Sequence, residues 1–229
     1  RCAMQQASTF FSKEEVAQIE AAVAEAESKT SAEIVPVVAT ASGRYDRPED
    51  IVGVWCGAIA AAVVWFVFRG VPQPEAGWGF QWGTLELPAI LVALVAGFIA
   101  GAAIGSASGT LRRLFTPRSQ MRDEVALRAR QAFFDSRVHH TEGATGLLIY
   151  LSIYERMAAV LADDSILQKL GQSKLDELCA ELTRGMGNGA KAESVCKVIK
   201  DAGEALGKVL PRADDDVNEL EDSLIVLDE

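Results

Sequence analysis

Four charged residues flank one apolar segment and form the best candidate for chemistry in this sequence. Glu155 and Arg156 lie between two apolar runs, and Asp163 with Asp164 follows the second run. Two adjacent acids that leave a sheet offer the hard oxygen ligands that calcium and magnesium prefer. The pattern predicts a Ca²⁺ or Mg²⁺ site at Asp163 and Asp164, with Glu155 and Arg156 as further candidates.

The same residues have ordinary structural interpretations. Aspartate is a favoured N-cap residue, so Asp163 or Asp164 is expected to cap the helix predicted to begin at Ser165. Arg156 either pairs with an acid across the predicted hairpin or binds an anion. These roles compete directly with the metal site.

The chain has only two histidines, His139 and His140. A zinc site needs three or four ligands, and no third partner is apparent near this pair. We expect both histidines to be polar residues at the end of a helix, and we keep His139 as a candidate metal ligand. The glycine-rich stretch from Arg184 to Lys191 follows a helix and does not fit a phosphate-binding loop, so no nucleotide cofactor is predicted.

The last sixteen residues carry eight acids and no base, and the rest of the chain is nearly neutral. Asp214 and Asp216 resemble the start of a calcium loop, but Glu219 and Ile225 replace the glycine and glutamate that it requires. The tail is predicted to be solvated and to dock through Leu224–Leu227. Because the body lacks a basic surface, no nucleic-acid partner is predicted.

Two apolar runs have the length of membrane spans. The first, Ile51 to Phe68, is uncharged, and its eighteen residues would extend about 27 Å as a helix. The second, Leu87 to Ala107, is also uncharged. Neither shows the polar stripe of a buried core helix, so we predict two transmembrane helices and a lipid bilayer as partner.

Small residues recur at every fourth position in both spans, which lets helix backbones approach closely. This spacing predicts that the spans pack into a hairpin. Self-association into a homo-oligomer through the same faces is the alternative. The residues are Gly53, Gly57 and Ala61 in the first span, and Gly97, Gly101, Gly105 and Gly109 in the second.

Basic residues predict the orientation, because they are retained on the cytoplasmic side. The connection between the spans has one base, Arg69, and three aromatic residues suited to an interface, Trp78, Phe80 and Trp82. We therefore expect both termini in the cytoplasm and the connection outside. The cytoplasmic bases are Arg44, Arg47, Arg112, Arg113, Arg118 and Arg122.

Helix and strand patterns lie on both sides of the spans. Before them, Ser12 and Glu15 form a capping box for a helix that ends near Lys29. A strand, Glu33–Ala39, follows, and its Pro36 favours an edge strand or a bulge. After the spans come a helix (Arg122–Arg137), two strands with a two-residue turn (Gly146–Ile153 and Arg156–Asp163), and two helices before Pro211.

The order predicts an α/β fold: a small mixed sheet sandwiched by helices, with a two-helix transmembrane hairpin inserted after the first strand. One helix and one strand cannot bury a core alone, so the sheet must be completed from beyond the insertion. The predicted parts are residues 10–40 and 120–211 for the domain, 51–68 and 87–107 for the spans, and 212–229 for the acidic tail.

The soluble segments resemble the TPM domain family over Phe10–Ala39 and Asp123–Leu210. The resemblance rests on "TSAEIV" after the first helix, on "TGLLIYLS", and on "ER" followed seven residues later by "AD". It implies an α/β sandwich, an acid at Asp163 and a histidine at His139. The tail "VNELEDSLIVL" resembles bacterial membrane-inserted members, which implies a multi-pass protein of the inner (plasma) membrane.

The resemblance implies less about activity. Members include thylakoid lumenal proteins associated with photosystem II maintenance and a receptor modulator in animals, and weak acid phosphatase activity and calcium binding are attributed to some. Our first hypothesis is a non-enzymatic cytoplasmic domain that binds a membrane or cytoplasmic protein, or assembles or maintains a membrane complex. The alternative is a metal-dependent weak phosphatase at Asp163 and Asp164, or a calcium-binding domain.

Overall fold

A computed structural model describes residues 6–45, 47–70, 83–107, 113, 116–140, 145–187, 189–213 and 220–228. The chain divides into two compact units. The α/β unit runs to Gly43 and resumes at Arg118, and the hairpin unit occupies the chain between Arg44 and Pro117. The insertion after the first strand is therefore present as predicted.

The α/β unit contains a four-stranded mixed sheet with the order β3-β2-β1-β4. The central strands β1 and β2 are parallel, in register from Glu33 opposite Gly146 to Ala39 opposite Ser152. Strand β3 is antiparallel to β2, and β4 is parallel to β1. The strands are β1 (Glu33–Ala39), β2 (Gly146–Ser152), β3 (Met157–Ala162) and β4 (Ile225–Leu227).

Helices cover both faces of this sheet. Every residue of β1 and β2 is buried, and alternate residues point to opposite faces. Ile34 and Val38 join one apolar cluster, while Val35 and Val37 join the other. The helices on the first face are α1 (Lys13–Glu27), α5 (Asp164–Leu170), α6 (Gln172–Gly187) and α7 (Lys191–Val209), and α4 (Arg118–Asp135) covers the second.

The capping box at the start of α1 is confirmed. Ser12 Oγ accepts a hydrogen bond from the Glu15 amide at 3.2 Å, and Glu15 Oε2 accepts one from the Ser12 amide at 2.7 Å. The helix packs closely on α7 because Gly203 has no side chain. A Cβ there would lie 2.6 Å from that of Ala26.

Pro36 does not lie in an edge strand, which corrects one prediction. Strand β1 is central, but β4 pairs with it only from Val37 to Ala39. Amides alternate in direction along a strand, and the Thr40 amide donates to Leu227 O. Pro36 therefore faces the same side, where β1 has no partner strand at this position among the described residues and no amide donor is needed.

The predicted hairpin of β2 and β3 is present, but its turn has four residues rather than two. Ser152 pairs with Met157, and residues 153–156 form the turn. Arg156 has a φ of 54°. This left-handed conformation closes the turn, and it strains the backbone because the residue is not glycine. At the other end, a Cβ on Gly146 would collide with the carbonyl oxygen of Val138.

The outer edge of β3 is covered by α6. Cys179 of α6 donates through Sγ to the Ala158 carbonyl at 3.1 Å. An exposed strand edge invites pairing with other chains, and this thiol occupies one of its free carbonyls. The described cysteines Cys56, Cys179 and Cys196 are free thiols.

The C-terminal segment docks on the sheet, as predicted for Leu224–Leu227. The Thr40 amide donates to the Leu227 carbonyl at 2.9 Å. Asp228 Oδ1 accepts from the Ser8 amide at 3.0 Å and from Thr40 Oγ1 at 3.1 Å. The segment therefore joins the beginning of the chain to the end of β1. Asp214 and Asp216 lie outside the described residues.

The described part of the hairpin unit includes two long helices, α2 (Arg47–Arg69) and α3 (Gly83–Ala107), which are longer than the predicted 51–68 and 87–107. Both are long and apolar enough to cross a membrane, and only 11% and 6% of their most apolar windows are buried. A core helix of a soluble domain would be mostly buried. The connection with Trp78, Phe80 and Trp82 lies outside the described residues.

The small-residue faces of α2 and α3 pack against each other. A Cβ at Gly97 would lie 2.8 Å from Cys56 O and 2.9 Å from Gly57 Cα. At Gly101 it would lie 2.8 Å from Val52 O. These atoms are backbone and cannot rotate away, so glycine permits the close approach. The predicted hairpin packing is confirmed for these residues.

We expect Gly97→Val to weaken the α2–α3 contact by about 1–3 kcal/mol, because the new side chain forces two backbones apart. The measurement is unfolding of the full chain in mixed micelles with rising sodium dodecyl sulfate, followed by tryptophan fluorescence. Ala103→Val, on the exposed face of α3, is the matched control and should unfold like the wild type. Equal behaviour of the two variants would contradict packing through this face.

Candidate functional site

The predicted charged cluster is divided between the two ends of β3. Glu155 and Arg156 lie in the turn before the strand, and Asp163 and Asp164 follow its last residue. A six-residue strand spans about 20 Å, so the two pairs cannot share one ligand. Each end therefore has to be considered as a separate site.

Glu155 lies at the carboxyl ends of β1 and β2 and is only 2% exposed. Its Oε1 accepts a hydrogen bond from the Ser42 amide at 2.8 Å, and its Oε2 accepts one from Ser152 Oγ. Ser42 Oγ contacts Ser152 Oγ and the Tyr150 hydroxyl, each at 3.0 Å. Ser42 follows β1, Tyr150 and Ser152 belong to β2, and Glu155 follows β2, so the network ties the two strands together.

The direction of these hydrogen bonds follows from the number of donors. Ser152 donates its single hydroxyl proton to Glu155, and Ser42 donates its own to Ser152. The Tyr150 hydroxyl must therefore donate to Ser42. Burial raises the pKa of Tyr150, which keeps the phenol neutral and able to donate.

This network occupies the place where open α/β sheets commonly bind ligands. Tyr150 and Ser152 are fully buried, and the Glu155 carboxylate is already hydrogen-bonded through both oxygens. The effect of the arrangement is to fix the loop after β1 against the β2–β3 turn. Arg156, in the same turn, is exposed.

At the other end of β3, Asp163 occupies the N-cap position of α5, but its side chain does not cap the helix. Its Oδ2 instead accepts a hydrogen bond from the Gly146 amide at 3.3 Å, and its own amide donates to Gly146 O at 2.9 Å. Burial raises the pKa of Asp163. Asp164 is exposed at the first position of α5. The first carboxylate therefore fastens β2, and the second faces solvent.

His139 lies near this end of the sheet, in a short 3₁₀ turn (Val138–His140) after α4. Its ring is 4.9 Å from that of Phe134 in an edge-to-face arrangement and 6.4 Å from that of Phe133. Its charge also tends to lower the pKa of Asp163. The contacts are those of a packed helix-terminal residue, and the side chain of His140 lies outside the described residues.

Among the described residues, no group of three or more His, Cys, Asp or Glu side chains is placed to hold a metal ion. Residues 141–144, which precede β2, lie outside the described residues. A phosphatase or calcium site at Asp163 and Asp164 would need further oxygen ligands. The Ca²⁺ or Mg²⁺ site remains a prediction from the sequence.

A second polar site was not predicted. A cavity of about 80 Å³ lies at the end of α1, with three carboxylates and one guanidinium among its lining residues. Glu27 Oε1 accepts a hydrogen bond from the Ile34 amide at 2.8 Å. The other charged residues that line the cavity are Glu33, Arg212 and Asp222.

The sequence contains one signal for this site. Glu27 is the last residue of α1, where the helix dipole disfavours a negative charge, and the last turn has no base. A carboxylate in that position therefore indicates a stabilising contact outside the helix. The involvement of Asp222 has no sequence signal, because it depends on where the C-terminal segment docks.

No family model and no curated protein matches this chain. A solved structure, the NMR structure of BA42 protein from the psychrophilic bacterium Bizionia argentinensis, is similar with a TM-score of 0.54. The sequence identity is 16%, and the match covers 94% of this chain and 94% of that chain. At this identity the likeness shows the fold alone. The resemblance to the TPM domain family stays a prediction.

We expect Glu155→Ala to lower the free energy of unfolding of the α/β unit by about 2–4 kcal/mol, because it leaves buried donors on Ser42 and Ser152 without an acceptor. Tyr150→Phe removes one hydrogen bond and should cost about 1 kcal/mol. The measurement is urea unfolding of the full chain in detergent micelles, followed by circular dichroism.

Arg156→Ala is the control for these variants, because it changes an exposed residue of the same turn and keeps its backbone strain. Its free energy of unfolding should lie within about 0.5 kcal/mol of that of the wild type. A wild-type stability for Glu155→Ala would show that the network does not hold the strands together.

Proposed function

We propose that the chain is a multi-pass protein of a bacterial inner membrane whose TPM-like α/β unit binds a partner protein. In this role it assists the assembly or maintenance of a membrane complex. The observation that carries the proposal is the exposure of α2 and α3, whose most apolar windows are only 11% and 6% buried. Such surface is stable in lipid and would aggregate in water.

The orientation is part of the proposal. The α/β unit is cytoplasmic with both termini, and the connection between α2 and α3 is on the outer side. Support comes from the excess of arginines that precede α2 and follow α3 over the single Arg69 at the end of α2. The two spans return the chain to the side from which it left, which suits a domain built from both flanking segments.

Two large apolar side chains on α4 support a binding role. Leu127 is 64% exposed and Phe134 is 60% exposed, and they lie seven residues apart. Residues at this spacing share one face of a helix. The opposite face, with Val125 and Ala129, is buried against the sheet. Exposed aromatic and aliphatic residues on one face are typical anchors for a protein partner.

A labelling experiment tests the membrane orientation. In a cysteine-free background, Gln73→Cys lies in the connection and Ser173→Cys lies in α6. An impermeant maleimide should label Gln73→Cys in intact cells and Ser173→Cys only after permeabilisation. The reverse pattern would contradict the orientation, and release of the protein by alkaline carbonate would contradict the spans.

A photo-crosslinking experiment tests the binding role. A photoreactive residue at Leu127 or Phe134 should give one discrete crosslinked product in cells, while the same residue at Glu177, exposed on α6, should give none. Phe134→Glu should reduce the product from position 127 about tenfold, because burying the new charge would cost the partner contact. Identical products from all three positions would contradict a specific α4 surface.

A further inference from the structure

Among the described residues, the first part of β1 (residues 34–36) has no partner strand on the side that faces β4, and a side chain occupies that edge instead. Strand β4 pairs with β1 only from Val37 to Ala39. Nearer the start of β1, the Ile34 amide points to the side on which β4 lies and donates a hydrogen bond to Glu27 Oε1 at 2.8 Å. Glu27 therefore continues the hydrogen bonding of β1 where β4 stops.

The C-terminal segment reaches β4 past this carboxyl group. Asp222 lies three residues before β4 and lines the same cavity as Glu27. Two carboxylates side by side repel each other unless one of them holds a proton, in which case they can share a hydrogen bond. The contact between α1 and the segment that leads into β4 is therefore favoured when one of the two groups is protonated.

The charges around Glu27 are mostly negative. Glu33 on β1 and Asp222 both repel a charge on Glu27. Arg212, which follows α7, is the cation among the cavity's described lining residues. The neighbouring lysines are directed elsewhere, because Lys29, which follows α1, and Lys200 of α7 both pair with the exposed Glu25.

We propose that Glu27 and Asp222 form a proton-dependent latch for the C-terminal strand. When Glu27 is protonated, its carboxyl group bridges the β1 edge and Asp222, and β4 stays docked. When Glu27 ionises, it meets two further carboxylates beside a small cavity, and their repulsion releases the segment that carries β4. The Thr40 amide then loses its acceptor on Leu227.

The protonation of Glu27 supports this latch at physiological pH. Burial, followed by the charge of Glu33 and the contact with Asp222, raises the pKa of Glu27 from 4.5 to about 8. Between these values the folded chain binds a proton that the unfolded chain does not. The stabilisation is therefore complete below about pH 4.5 and is lost as the pH rises through about 8.

Hydrogen exchange on the full chain in lipid nanodiscs tests the latch. The protection factor of the Thr40 amide, corrected for intrinsic exchange, should fall about tenfold or more between pH ~6 and pH ~9. The Ile153 amide, which donates to Ala39 O in the β1–β2 pairing, is the internal reference and should stay protected. Loss of protection at both amides would mean global opening and would overturn the proposal.

Glu27→Gln is the decisive variant, because the amide keeps an acceptor for Ile34 and a donor for Asp222 but does not titrate. Thr40 should then stay protected across the range. Glu20→Gln, elsewhere on α1, is the matched control and should keep the wild-type pH dependence. An unchanged pH dependence in Glu27→Gln, or a flat profile in the wild type, would overturn the latch.

Discussion

The parallel pairing of β1 and β2 is the interaction on which the rest of the α/β unit depends. The two strands come from opposite sides of a long insertion, yet they pair over seven residues and are buried throughout. Both apolar clusters are built on them, one on each face. A parallel pair needs a crossover connection, and here that connection includes α2, α3 and α4. The chain must therefore return from its apolar helices before the core can form.

The same constraint explains why polar side chains are concentrated at strand ends and edges. The Glu155 network fastens the loop after β1 to the end of β2. Asp163 fastens the beginning of β2, where Gly146 is its backbone partner. Glu27 and Cys179 each bond a backbone group at a sheet edge. In a sheet of four strands, the backbone N–H and C=O groups at the edges are a large share of all such groups in the sheet. Side chains therefore have to complete their hydrogen bonding.

The sequence predicts the elements better than it predicts their neighbours. Continuous apolar runs identify β1 and β2, the capping box marks the start of α1, and glycine spacing identifies the contact between α2 and α3. Pro36 was misleading because its missing donor matters only on one side of β1, and that side is known only once β4 is placed. The grouping of Glu155 with Asp163 is wrong for a local reason, because the strand predicted between them holds its two ends about 20 Å apart. The error at Pro36 concerns long-range placement, which local patterns do not encode.

The polar residues that attract a chemical interpretation are thus largely engaged in holding the sheet together. Glu155 accepts hydrogen bonds through both oxygens, and Asp163 is bonded to Gly146 through both its side chain and its backbone. Glu27 differs from them, because its carboxyl group lies beside two further acids at a contact with a short, separately connected strand. Only three residues of β4 pair with β1, so a repulsion at Asp222 acts on a small number of hydrogen bonds. A change in one proton can therefore decide the position of β4, whereas the seven-residue pairing of β1 and β2 resists it.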